Sequence, residues 1–256
     1  MFGHPLYRFW FPPDVFSWVM LALGVVVFAL PARWSRVFGR MPRKTLAFLA
    51  LSAGTLSWLY FHFWLDGAPR IIDATAYSLE GRTLALGSFT FTPPEPTALF
   101  RGRFLIHPPG DPLRLGVIFP PGYPLLLALG ELIGSSALVG PVLAGLLVVL
   151  TYLLAVEVTQ HDAARESTQS DPSFLGGANG RDVGLLAATF SALSACLRYH
   201  TADTMSHGWS ALLATALVWI TLRLRRLVQP NAPHLLHFIA FGFLLGWFVA
   251  TRQLTG

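Results

Sequence analysis

Leu138-Val139-Gly140-Pro141-Val142-Leu143-Ala144-Gly145-Leu146-Leu147-Val148-Val149-Leu150-Thr151-Tyr152-Leu153-Leu154-Ala155-Val156-Glu157-Val158 is the stretch that decides the fold class, and Glu157 is its only charge. A helix needs about 20 largely apolar residues to cross the hydrocarbon core of a bilayer. Segments of similar character lie on both sides, at Val15–Trp34, Thr45–Leu65, Val183–Leu197, Trp209–Leu222 and Leu235–Thr251. The sequence therefore predicts an all-α polytopic membrane protein. It is a helical bundle of six transmembrane helices, with one long outer loop that contains juxtamembrane helices. Composition agrees: 54% of the 256 residues are hydrophobic and 12% are charged, against about 25% charged in soluble domains.

Orientation follows from the basic residues. Arg33, Arg36, Arg40, Arg43 and Lys44 stand together without an acid, and Arg223, Arg225 and Arg226 follow the fifth span. Short basic loops face the cytoplasm. Both clusters then predict an outer N-terminus, an outer loop at 66–137, a flexible cytoplasmic insert at 159–182 and an outer connection at 198–208. The chain divides into an extra helix with its basic loop (1–44) and a main membrane module (45–256). The +5 net charge reads as this asymmetry and as contact with anionic lipid headgroups, not as nucleic-acid binding. Phe9-Trp10-Phe11-Pro12-Pro13-Asp14 is not a short basic leader, so the first span reads as a mature helix. Cys196 is the only cysteine. It allows no disulfide framework and reads as a small buried hydrophobe.

Two acids fall on the outer side. Asp73 begins Asp73-Ala74-Thr75-Ala76-Tyr77 and Asp203 lies in Tyr199-His200-Thr201-Ala202-Asp203-Thr204-Met205-Ser206-His207. Carboxylates are costly near lipid and mark functional sites there. Each also fits a helix N-cap, a role Asp fills well. The stretch from Asp73 to Gly87 predicts an amphipathic helix on the membrane, ended by Gly87. Thr92-Pro93-Pro94-Glu95-Pro96 predicts extended chain. His107-Pro108-Pro109-Gly110 and Phe119-Pro120-Pro121-Gly122 read as rigid turns, the second leading into a juxtamembrane helix at 125–133.

Several phrases together resemble a known family. They are the run from Asp73 through Tyr77 to Gly87, Pro120-Pro121-Gly122-Tyr123-Pro124 with the leucines after it, Leu138-Val139-Gly140-Pro141, Met205-Ser206-His207, and Thr251-Arg252-Gln253-Leu254-Thr255. In this order, over about residues 45–256, the chain is similar to the integral-membrane GT-C glycosyltransferases. Within these it resembles bacterial relatives of protein mannosyltransferases and the aminoarabinose transferase of lipid A. The resemblance implies a polyprenyl-phosphate-linked sugar donor and a lipid, glycan or protein acceptor. It implies transfer at the outer face of the inner (plasma) membrane. It gives Asp73 the role of general base and Asp203 that of a second catalytic acid, with Tyr77, Tyr123 and His207 as substrate-binding residues. The chain differs from relatives in Asp73-Ala74, where many have Asp-Glu, and in Arg252-Gln253, where Arg-Pro is usual. It resembles the N-terminal half of such a protein and is expected to be inactive alone.

The chemistry explains the residue types. Inverting transfer needs a base for the acceptor's proton and cations for the departing phosphate, which Arg supplies bidentately. By location these are Arg70, Arg82, Arg101, Arg103 and Arg252. Arg252 at a helix end equally fits snorkelling to the interface. No metal site is expected, because His200, Asp203 and His207 match no common ligand spacing. No cofactor is indicated, with a divalent cation left open. Gly176-Gly177-Ala178-Asn179-Gly180 lacks the preceding strand of a phosphate loop and reads as linker. Trp58, Tyr60, Phe61, Phe63 and Trp64 read as an interfacial aromatic belt. Two other functions fit the composition: a transporter or flippase, and an inactive half-protein serving as a membrane partner subunit. The outer loop with Asp73 favours the transferase, since transporters put their ionisable groups near mid-membrane.

Overall fold

The computed structural model describes Ala22 and residues 42–95, 104–166, 179–226 and 235–251. The expected span Val15–Trp34, the cluster Arg33, Arg36 and Arg40, most of the cytoplasmic insert, and Arg101, Arg103 and Arg252 lie outside the described residues.

Helix α1, Pro42–Leu59, continues through one π-helical turn at Tyr60–Trp64. Helix α2 is Ile72–Ala85, and α3 is Gly122–Leu132. A 3-10 turn at Ser136–Leu138 leads into α4, Val139–Glu166. Then come α5 (Gly180–Leu193), α6 (Ala195–Ala202), α7 (Ser206–Arg226) and α8 (Leu235–Thr251). Between α2 and α3 lie β1 (Thr90–Phe91), β2 (Leu105–Ile106) and β3 (Leu115–Val117).

Among the described residues two helices are long and apolar enough to cross a membrane, Pro42–Trp64 and Ser136–Gln160. A third span arises if α6 and α7, bent by 117°, form one broken span. This is fewer than the six expected. The fourth expected span, Val183–Leu197, is not one helix. Ser194 has extended backbone, and its side chain accepts the Leu197 N–H, so it caps a new helix after α5. Serine does this because its short side chain replaces a missing turn of backbone bonds. Fourteen residues of α5 rise only about 21 Å at 1.5 Å each. Helix α8 is apolar throughout but has 17 residues. Helix α4 runs past Val158 to Glu166, so the insert starts later than expected. Cys196 is exposed, which corrects its reading as a buried hydrophobe: the break at Ser194 turns α6 away from the line of α5.

The bundle is assembled on small residues. A β-carbon at Gly54 would stand 3.0 Å from the Pro141 carbonyl oxygen, and one at Gly145 would stand 3.1 Å from that of Ala50. Ala53, Ser57 and Ala144 are buried along the same crossing of α1 and α4. Apolar lipid gives no hydrophobic drive between helices, so close contact and polar bonds hold them. One such bond joins Ser57 Oγ to Thr201 Oγ1 at 2.9 Å, tying α1 to α6.

The outer segment is more structured than expected. The strands form an antiparallel sheet in the order β1-β3-β2, with Phe91 opposite Leu115 and Leu105 opposite Val117. The all-α reading is corrected here, because strands this short show no alternation to read. The first Pro-Pro-Gly phrase is the turn between β2 and β3. Gly110 has φ +83, the Asp111 N–H donates to the Pro108 carbonyl at 3.2 Å, and Asp111 Oδ1 accepts the Leu113 N–H at 3.1 Å. The second starts α3, with Pro121 already in helical conformation at its N-cap. Helix α2 ends where expected, before Gly87 at φ +75. The face that packs on α3 carries Ala74, Tyr77, Glu80 and Gly81, and a β-carbon at Gly81 would meet that of Leu127 at 2.7 Å, while Leu79 and Leu84 remain partly exposed.

Candidate functional site

The site forms where α1 passes into its π turn, α4 begins, and α6 bends into α7. Asp203 is the C-cap of α6, its N–H donating to the Tyr199 carbonyl at 3.0 Å. Thr204 takes left-handed backbone (φ +44) to make the bend. This is a costly conformation for a β-branched residue. Asp203 is 0% exposed, and neither carboxylate oxygen makes a hydrogen bond of ordinary geometry. Burial pushes its pKa up to about 6, and the nearby Arg70 backbone N–H and Tyr199 hydroxyl offset part of that rise.

A group of aromatic rings packs onto the bend through Ser206. Tyr77 of α2 donates its hydroxyl to Ser206 Oγ at 3.2 Å. Its ring stacks on Phe119 at 4.4 Å and meets Tyr123 of α3 edge-on at 5.5 Å. Tyr123 is fully enclosed, and its hydroxyl pKa is raised first by burial, then by the charges of Asp203 and Tyr77. The Asp203 carboxyl thus lies within electrostatic reach of Tyr123. The His200 and His207 rings lie 4.9 Å apart beside the same bend. Of the residues expected to form a site, the structure brings together Tyr77, Tyr123, Asp203 and His207. It adds Ser206 and Tyr199.

Asp73 lies on α2 one turn before Tyr77, so the two share a face. It is half-buried and makes no hydrogen bond or ion pair among the described residues. The capping reading does not hold for it. The N-cap of α2 is Ile71, which gives no side-chain bond, and Asp73 falls inside the first turn. Nor does Asp203 cap α7, which starts three residues later at Ser206.

The arginines divide. The Arg70 guanidinium donates to the Leu65 carbonyl from Nε at 2.7 Å and pairs through Nη2 with Asp66. Its charge is therefore already matched, and only its backbone faces Asp203. Arg82 is well exposed on α2, with Nε 3.5 Å from Glu131 Oε1, and is not drawn into the cluster. Arg252 lies outside the described residues, but Thr251 before it is buried against the start of α3. There a β-carbon on Gly122 would stand 2.7 Å from the Ala250 carbonyl, and Trp247 Nε1 donates to the Gly122 carbonyl at 2.8 Å.

Among the described residues, Arg198 and Glu80 are buried charged residues near the site that the sequence reading did not single out. Arg198 of α6 is 5% exposed and donates from Nη1 to the Leu193 carbonyl at 3.1 Å. Glu80 of α2 is 6% exposed, with Oε2 lacking a partner. Burial pushes its pKa up to about 8. The one signal for Glu80 is its place one turn after Tyr77, on a helix otherwise read as half-solvated. A carboxyl whose folded pKa exceeds its unfolded one adds stability that is complete below the unfolded pKa and is lost as pH rises through the folded pKa. For Glu80 that window runs from 4.5 to about 8. Apparent melting temperature in detergent should fall as pH rises through this window, and Glu80→Gln should flatten the upper part of the curve. An unchanged pH profile in Glu80→Gln would show that the carboxyl ionises freely.

Among the described residues no group of three or more His, Cys, Asp and Glu side chains is placed to hold a metal ion. Comparison of the chain with protein families, with curated proteins and with solved structures finds no match.

Proposed function

We infer that this chain is part of a membrane glycosyltransferase that moves a sugar from a polyprenyl-phosphate donor to an acceptor at the outer face of the cell's inner membrane. The observation that carries the reading is the convergence of distant polar residues at one end of the bundle. The Asp203 carboxyl, 0% exposed, sits beside a Tyr77–Ser206 hydrogen bond and the buried Tyr123. Residues more than a hundred positions apart meet there, in segments that carry the GT-C resemblance.

In this reading Asp73 accepts the proton of an acceptor hydroxyl or amine as its heteroatom bonds to the anomeric carbon. The bond from that carbon to the phosphate oxygen breaks, and the polyprenyl phosphate leaves as an anion. Asp203, held by the bend, serves as the second acid and orients the sugar or acceptor with Tyr77, Tyr123 and His207. The phosphate cations fall to Arg101, Arg103 and Arg252, since Arg70 pairs with Asp66 and Arg82 faces Glu131. Six membrane segments, some shorter than a full span, would put this end of the bundle outside. The test of function is sugar transfer by the full-length protein in membranes, over a panel of radiolabelled polyprenyl-phosphate sugars. No transfer from any donor would overturn the reading.

The orientation has its own test. Leu86 is 86% exposed just after α2. In a Cys196→Ala background, Leu86→Cys should react with an impermeant maleimide in intact cells, while Ser167→Cys reacts only after permeabilisation. The reverse pattern would invert the topology.

A carrier is the second reading, favoured by Glu157 and Arg198, both buried within helices. Buried intramembrane charges commonly mark a transport path. Substrate movement into sealed vesicles without covalent transfer would select it.

A further inference from the structure

Asp203 and Tyr123 are 0% and 1% exposed, so the candidate site is shut to any ligand in this structure. Three of the groups that shut it belong to the outer segment. They are the Arg70 backbone N–H near the Asp203 carboxyl, the enclosed Tyr123 within its electrostatic reach, and the Tyr77 hydroxyl on Ser206. A ligand reaches Asp203 only when these groups withdraw.

The outer segment is packed as a body of its own. Helix α2 lies along α3 and against β1 and β3, and the strands pair with one another, whereas α2 and the sheet pack only lightly on the bundle helices. Both connections to the bundle pass through left-handed backbone. At the entry Asp66 and Gly67 have φ +52 and +69; at the exit Gly134 has φ +112. A β-carbon at Gly134 would meet nothing within 4 Å, and glycine is the residue that turns there most freely. One side-chain contact bridges each connection: the Asp66–Arg70 ion pair at the first, and the bond from Ser136 Oγ to Glu131 Oε1, 2.6 Å, at the second. The seat on the bundle is largely apolar, with Tyr77, Tyr123 and Leu127 in one cluster with Trp209 and Leu213 of α7. Two hydrogen bonds tie the unit down at this seat, Tyr77 to Ser206 at 3.2 Å and Trp247 Nε1 to the Gly122 carbonyl at 2.8 Å.

We propose that α2, the three strands and α3 form a lid over Asp203, which swings about Gly67 and Gly134 and is latched shut by the Tyr77–Ser206 hydrogen bond. Lids that exclude water until the substrate is bound are a common solution in enzymes, and short element-terminal segments serve as their hinges. The latch has a second use. Opening frees the Tyr77 hydroxyl, Ser206 Oγ and the Asp203 carboxyl together, and these are hydrogen-bonding groups suited to a polyhydroxylated ligand. A ligand that takes up those bonds favours the open state by its differential affinity for it. That the ligand is a sugar rests on the transferase reading, but the opening itself does not.

The test measures opening without catalysis, in the full-length protein in membranes with Cys196→Ala. Ser210 lies one turn after Ser206 on α7, is 9% exposed and has an unbonded hydroxyl, so Ser210→Cys is a conservative reporter. Its rate of reaction with a small neutral methanethiosulfonate is compared with and without Tyr77→Phe, which keeps the ring and removes the latch. Val148→Cys, 0% exposed in the separate cluster of α4 with Leu49 and Ala188, reports on the bundle itself. Labelling at Ser210 should rise about 2- to 10-fold in Tyr77→Phe, the factor set by the net worth of one hydrogen bond, while Val148 stays as slow as before. Ser206→Ala breaks the same bond from the other side and should give the same rise, so the test survives if one variant fails to fold. An unchanged rate at Ser210 overturns the latch. An equal rise at Val148 overturns the lid, since the whole bundle would then have loosened. Failure of sugar transfer would count against the reaction and leave the labelling result standing.

Discussion

Asp73→Asn is expected to lower sugar transfer by the full-length protein in membranes at least a hundredfold while leaving its stability near wild type. General-base contributions run from about 100- to 10,000-fold in rate. Asn keeps the shape and hydrogen-bonding reach of the side chain but cannot take the acceptor's proton. The structure sharpens the experiment because Asp73 is not the N-cap of α2. The amide change therefore costs only its interaction with the helix dipole, about 0.3–1 kcal/mol. Thermal stability and donor binding should stay nearly constant while turnover collapses. If Asp73→Asn transfers sugar at a rate close to wild type across the donor panel, Asp73 is not the base. In that event Asp203→Asn becomes the deciding variant, although removal of a buried carboxyl there also changes the packing of the bend.

The second large effect is structural. Gly140→Ala should destabilise the protein severely, because the added methyl would fall on the Thr201 carbonyl oxygen and 3.0 Å from its carbon. These are backbone atoms of α6, which is also packed closely by α7: a β-carbon at Gly208 would stand 3.0 Å from the His200 carbonyl oxygen. Overpacking of this kind costs about 1–3 kcal/mol and sometimes more. Helix α6 also carries Asp203 at its end, so its displacement should break the Tyr77–Ser206 bond and lower activity in any protein that still folds. The control is Gly242→Ala on α8, where a β-carbon meets nothing within 4 Å among the described residues. There the change should be neutral or stabilising by up to about 1 kcal/mol, from helix propensity alone. Equal melting temperatures for Gly140→Ala and wild type in detergent would refute the close crossing.

The long apolar runs could be read without coordinates because a membrane span is a local property. Pro42–Trp64 and Ser136–Gln160 match the expected 45–65 and 138–158 with small shifts at the ends. Turn chemistry was legible for the same reason: Gly87, Gly110 and Pro121 do what their backbone preferences demand. The failures have one cause too. Val183–Leu197 looked like a span because its composition is apolar, but a single serine side chain at 194 decides that the helix restarts. The sheet of β1, β2 and β3 was invisible, since each strand is two or three residues long and exists only through its neighbours.

For the candidate site the division is sharper. The sequence by itself determined a membrane-embedded helical protein, the acids Asp73 and Asp203, and the tyrosines at 77 and 123, because charge and aromaticity are properties of single residues. It did not determine that Asp203 is enclosed, that Tyr77 reaches Ser206, that Arg70 is spent on Asp66, or that Glu80 is buried. Nor did it determine which face of α2 packs on α3, where Ala74, Tyr77, Glu80 and Gly81 are the buried residues. Only the tertiary structure decided these, since burial and pairing depend on which helix face meets which neighbour. That choice is made by contacts such as Gly140 on Thr201 and Gly81 on Leu127, between residues whose side chains carry no chemistry of their own.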